Sequence, residues 1–197
     1  MKVLIFGHSY VEHLKELGNW NRNLTLENGK GVGLEFEFRG YRGKDFDFFL
    51  ENDRVFNVVS EVNPDIIVVI IGGNSIVDSV TNSEIKKKSC LFFRKLNNFL
   101  SGGCIRLVAQ VEPRYSKTNK FGTPSHLLYE KRRNIINNHY NKALKKLKLV
   151  DNIIMLGSVN NLNKRENFSD GVHLNKTGLR MYQDAVLRTI SYVLNRQ

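Results

Sequence analysis

Six consecutive residues, Ile66–Ile71, read Ile-Ile-Val-Val-Ile-Ile. A strand with one face in water alternates apolar and polar residues. A run that is apolar on both faces of the pleat belongs inside a sheet covered on both sides, as central parallel strands are. The run is far short of the roughly 20 residues a membrane span needs. With this run extended to Asp65–Ile71, the short apolar, β-branched runs that read as strands are Lys2–Phe6, Leu34–Phe38, Asp65–Ile71, Ile105–Val111 and Asn152–Met155. Helical spacing fills the intervals: Val11–Leu17, Phe46–Ser60 in one or two pieces, Ser83–Leu100, His126–Leu149 and Lys176–Leu194. Strands alternating with helices, joined by right-handed crossovers, predict an α/β three-layer α/β/α sandwich. The expected sheet is flavodoxin-like, with five parallel strands in the order 2-1-3-4-5. No repeat, low-complexity tract or Pro/Gly/Ser-rich linker interrupts the 197 residues, so one domain over 1–197 is expected. Two stretches fit no element, Glu112–Ser125 and Gly157–Asp170. Loops of that length in a compact domain are often functional.

Four segments carry candidate chemistry. Gly7-His8-Ser9-Tyr10 follows the first strand, where open α/β sheets bind ligands. Ser9 alone reads more readily as a helix cap than as a nucleophile. Arg39-Gly40-Tyr41-Arg42-Gly43 follows the second strand, and a glycine there can turn the chain or offer an unhindered N–H. Ile71-Gly72-Gly73-Asn74-Ser75 follows the third, and can aim the Asn74 amide into the crevice or simply turn. Ser169-Asp170-Gly171-Val172-His173-Leu174 precedes the last helix. A carboxylate three residues before an imidazole can accept its Nδ1–H, fixing the tautomer and freeing Nε2 as a base. In the expected strand order the first strand lies between the second and third. The hydroxyl of Ser9, an amide of Gly40 and the amide of Asn74 then converge, with Asp170 and His173 supplying base and orienter.

These four blocks, in this order, resemble the SGNH hydrolase superfamily, the GDSL-like esterases and lipases. The family's Ser, Gly, Asn and His fall on Ser9, Gly40, Asn74 and His173, with Gly43 close to the second of these. The resemblance implies a serine esterase or acylhydrolase that cleaves a small carboxylic ester through an acyl-enzyme. Ser9 would be the nucleophile, His173 the base and Asp170 its orienter. The Ser9 N–H, the Gly40 N–H and the Asn74 amide would form the oxyanion hole, with no metal or other cofactor. Two positions depart from the family pattern. His8 stands where the first block usually has Asp, and Ser75 where the third does; loss of that Asp would loosen the turn holding Asn74. Gly-His-Ser with a late Asp-Gly-Val-His-Leu is also similar to a narrower subset of this family associated with animal retrotransposons.

Charge bears on partners rather than fold. Lysine and arginine number 30 against 19 acidic residues, a net +11. They cluster at Lys86–Lys88, Lys131–Arg133, Lys145–Lys148 and Arg114–Lys120. Non-specific association with nucleic acid or an anionic membrane surface is expected from such a balance. The alternative function is therefore a catalytically weak module of the same fold that binds through this surface. Its glycines match neither G-x-G-x-x-G nor the phosphate-binding P-loop, which disfavours a nucleotide-binding reading. The two cysteines, Cys90 and Cys104, read as reduced, and His8 and His13 lack a third metal ligand. The short apolar start reads as a strand, not a signal peptide, so residence in the cytoplasm or nucleus is expected.

Overall fold

The computed structural model describes residues 1–77, 79–115, 126–155, 162 and 164–196. Among the described residues the sheet has six strands: β1 (Lys2–Gly7), β2 (Arg22–Thr25), β3 (Gly31–Gly40), β4 (Ile66–Ile70), β5 (Ile105–Ala109) and β6 (Asn152–Ile154), in the order β2-β3-β1-β4-β5-β6. Five of them, β3-β1-β4-β5-β6, are parallel and reproduce the expected 2-1-3-4-5 order. The sixth, β2, pairs antiparallel to β3 at the edge and corrects the expected five. It is short and solvent-facing, with the pattern Arg-Asn-Leu-Thr, so it has no apolar alternation to announce it. Its signal is the turn: Asn28-Gly29 closes the hairpin, with Gly29 at φ 77°.

Helices cover both faces. On one side lie α2 (Phe46–Glu51), α3 (Arg54–Val62), α4 (Asn82–Asn97) and α5 (His126–His139); Phe49, Phe56, Phe92 and Tyr140 pack there against Phe6, Ile67 and Val69. On the other lie α1 (Ser9–Leu17) and α6 (Lys176–Leu194), whose Leu14, Tyr182, Val186 and Ile190 meet Val3, Ile5 and Val68. The predicted helix 83–100 begins at Asn82, because Thr81 and Glu84 close a capping box. The predicted helix 126–149 is interrupted by a π-helical turn over Tyr140–Leu144.

The register places the candidate site. Gly7 pairs with Gly40 on one side and Ile70 on the other, so β3, β1 and β4 end at one level. A Cβ at Gly7 would lie 1.9 Å from the Ile70 carbonyl oxygen, and φ there is 151°. Only glycine lets β1 leave the sheet so close to β4.

Candidate active site

Ser9 is the first residue of α1 and is half-buried. The helix is capped by His8, whose Nδ1 accepts from the Tyr10 N–H at 3.5 Å. Ser9 is thus not the cap, and its hydroxyl takes no hydrogen bond among the described residues.

His173 Nδ1 lies 2.8 Å from Asp170 Oδ2. The other oxygen, Oδ1, accepts from the N–H groups of Val172 at 2.8 Å and His173 at 2.7 Å. Burial alone would raise the Asp170 pKa, but the His173 N–H, the His173 ring and the Val172 N–H outweigh it and bring it down to about 2. The carboxylate is charged at any working pH and holds the ring in one orientation. The loop is fixed at both ends. Ser169 N–H donates to the His173 carbonyl at 2.8 Å, and Phe168 bridges Leu174. Tyr10, next to Ser9 and buried, donates its hydroxyl to the carbonyl of Val172, next to His173. The rings of Tyr10 and His13 flank His173, with centroids 6.1 and 5.1 Å away.

Asn74 sits in a 3-10 turn, Gly73–Ser75, opened by Gly72 at φ 109°. A Cβ at Gly72 would meet the Tyr140 hydroxyl at 2.5 Å. That hydroxyl donates to the Ile71 carbonyl, so the π-helical turn props the Asn74 loop from beneath. Arg114, just past β5, donates from Nη2 to Asn74 Oδ1 at 2.7 Å. This leaves Nδ2 as the outward donor, and it bonds the Lys44 carbonyl at 3.1 Å. Ser75, 6% exposed, accepts the Phe46 N–H on its hydroxyl at 3.1 Å. The turn expected to loosen without Asp is therefore tied by serine.

The expected donor at Gly40 is already engaged: its N–H donates to Glu12 Oε1 at 3.1 Å. The part of this loop that meets Asn74 is Lys44, which follows Gly43 at φ 69°.

Sequence reasoning missed the buried polar group behind Ser9. His8 is 2% and Glu112 3% exposed, and His8 Nε2 stands 4.0 Å from Glu112 Oε2. That is too long for a hydrogen bond, and His8 Nε2 has no hydrogen-bond partner among the described residues. Burial first, then the charges of Arg114 and His173, lowers the His8 pKa to about 3. Burial raises the Glu112 pKa to about 7 against the hydrogen bonds it accepts, including one from the Tyr182 hydroxyl at 3.0 Å. His8 is a neutral imidazole, and of the two histidines only His173 is hydrogen-bonded to a carboxylate.

No group of three His, Cys, Asp or Glu could hold a metal among the described residues. Residues 116–125, most of the first long loop and of the Arg114–Lys120 cluster, and 156–161 with 163, part of the second loop, lie outside the described residues.

No family model matches the chain, and no curated protein matches it in sequence. Solved structures share its fold. A GDSL-like lipase from Bacteroides thetaiotaomicron matches with TM-score 0.68 at 14% identity, over 98% of this chain and 88% of that one. A lipase/acylhydrolase from Enterococcus faecalis matches with TM-score 0.66 at 15% identity, over 96% and 95% of the two chains. An acetyl xylan esterase matches with TM-score 0.64 at 17% identity, over 96% of this chain and 100% of that one. This chain has the SGNH hydrolase fold.

Proposed function

We propose that this protein is a serine-dependent hydrolase of small carboxylic esters. One observation carries the reading. The Asp170–His173 pair is hydrogen-bonded at 2.8 Å, and its loop is held to the turn bearing Ser9 by the Tyr10 hydroxyl. His173 Nε2 takes the Ser9 proton as the hydroxyl oxygen attacks the ester carbonyl, and later returns it to the departing alcohol. Asp170 stabilises the imidazolium formed on the way. Water, activated by the same imidazole, then releases the acid from the acyl-enzyme. The developing oxyanion is received by the Ser9 N–H at the start of α1, the Asn74 amide and a glycine N–H. With Gly40 engaged by Glu12, we assign that third donor to Gly43, beside the Lys44 carbonyl that Asn74 meets. The lipases and esterases that share the fold support the same chemistry. The narrower likeness to the retrotransposon-associated subset rests on Gly7-His8-Ser9 and Asp170–Leu174 alone.

A second reading, a catalytically weak binding module, is favoured by the engaged donors: both Gly40 N–H and Asn74 Nδ2 already have partners. The two readings separate in one experiment, hydrolysis of p-nitrophenyl acetate and longer homologues with fluorophosphonate labelling. The parent should turn over ester and label at Ser9, and Ser9→Ala should do neither while keeping its fold. Equal turnover by Ser9→Ala would end the serine mechanism. A folded parent that neither labels nor turns over would leave the binding module.

A further inference from the structure

The amino ends of β5 and β6 lie at the end of the sheet opposite Ser9. A cavity of about 420 Å³ opens there, lined by Gly103, Arg106, Lys145, Asn152, Tyr192 and Arg196 among others. A second, of about 330 Å³, continues along β6 past Met155 and Arg188, and shares Asn152 and Tyr192 with the first. Together they form a groove along the outer edge of β6, which pairs only with β5 among the described residues. Asp151 is the one acidic residue in either lining. It is committed to Arg106, which forks onto it at 2.8 and 3.0 Å. Lys145, Arg188 and Arg196 have no carboxylate partner among the described residues, and Lys145 reaches only the Asn152 side-chain oxygen, at 3.5 Å. Tyr192 stands between the two cavities 48% exposed, with the Arg196 guanidinium 4.6 Å from its ring centroid.

We infer that this groove binds single-stranded nucleic acid, with phosphates on Lys145, Arg188 and Arg196 and a base stacked at Tyr192. A row of uncompensated cations beside an exposed ring is what a strand without sequence preference requires. Arginine planes add stacking and bidentate phosphate contacts. A concave groove suits a strand better than a lipid bilayer, which is flat and offers nothing to fill it. Two joined cavities hold more than one nucleotide unit, and the net charge of +11 draws a polyanion toward them. The inference is independent of ester hydrolysis, because none of these residues belongs to the Ser9 site.

Fluorescence anisotropy with a labelled oligothymidylate of about 12 nucleotides, and its uridylate counterpart, tests the groove on the whole chain. Tyr192→Ala should weaken binding at least about fivefold. Arg188→Gln/Arg196→Gln should weaken it further and make the salt slope shallower by about 1.4, two phosphates' worth on a single strand. Lys86→Gln/Lys87→Gln on α4 removes the same charge from another face and should change affinity far less. Ester hydrolysis should be unchanged in every variant. Equal losses from the α4 and groove variants would reduce the effect to bulk charge and overturn the groove. So would a parent that does not bind at about 50 mM salt. Competition by uridine monophosphate at equal nucleotide concentration would assign the cavity to a free nucleotide instead. Groove-dependent binding of phosphatidylserine vesicles without oligonucleotide binding would assign it to a membrane.

Discussion

Arg114 shows how much a single side chain sets at this site. An asparagine amide can face either way, and only one way presents a donor to an oxyanion. The guanidinium at 2.7 Å from Oδ1 settles the choice, and its charge polarises the amide so that Nδ2–H donates more strongly. Its guanidinium also lies 5.1 Å from the Tyr129 ring centroid, which limits its rotamers. On the proposed mechanism, with Asn74 as an oxyanion donor, Arg114→Gln should therefore lower kcat about tenfold or more and leave KM little changed. The ceiling is the hundred- to thousand-fold loss typical of deleting a whole oxyanion donor. Arg114→Lys should recover part of it. Steady-state kinetics on a p-nitrophenyl ester would decide, and an effect confined to KM would make Arg114 a substrate contact instead. The sequence showed this residue only as the head of a basic cluster in a long loop after a strand. The carboxylate–imidazole pair was legible because Asp170 and His173 are local in sequence. The Arg114–Asn74 contact joins residues 40 apart and depends on where two loops come to rest.

At the level of elements, the strands with both faces covered were the legible ones: Ile66–Ile70 is buried at every position. The exposed β2 was not, since an edge strand can be polar on both faces and its pairing is decided by a turn. The π-helical turn was equally hidden. Tyr140–Leu144 keeps a helical composition, and the turn coincides with the long-range bond from the Tyr140 hydroxyl to the Ile71 carbonyl. The tie between α1 and the loop before α6 is likewise tertiary, made by the Tyr10 hydroxyl on the Val172 carbonyl. Tyr10→Phe keeps the ring and removes the tie. It should cost about 1 kcal/mol in chemical denaturation and, on the proposed mechanism, lower kcat by more than it raises KM, because the loop bearing His173 is no longer tied to the turn bearing Ser9. Unchanged kcat in a destabilised variant would confine the bond to stability.

For the whole molecule, the buried His8–Glu112 pair predicts how stability follows pH. Glu112 is held at about 7 in the native chain against 4.5 unfolded, so between those values the native state keeps a proton that the unfolded state has released. Its contribution is complete below 4.5 and lost as pH rises through about 7. His8, at about 3 against 6.5, works in the opposite sense: its contribution is complete above 6.5 and lost as pH falls toward 3. The two offset each other between 4.5 and 6.5, which places the best stability in that interval. Glu112→Gln removes only the alkaline loss. Its Tm should gain on the parent as pH rises from 5 to 8, by at least about 1 kcal/mol, or roughly 2–4 °C for a chain of this size. A gap constant with pH would mean that Glu112 is not protonated inside the fold. A further property follows from the Tyr10–Val172 bond, whose partners are 162 residues apart. Ser9 and His173, the proposed nucleophile and base, are 164 residues apart in the chain, so synthesis delivers them at different times. Synthesis at about 5–20 residues per second separates the two events, and a contact spanning so much of the chain closes late in folding. On the proposed mechanism, ester cleavage is thus a late event in the life of each chain: the site assembles only once Asp170 and His173 have been made and folded onto the turn bearing Ser9.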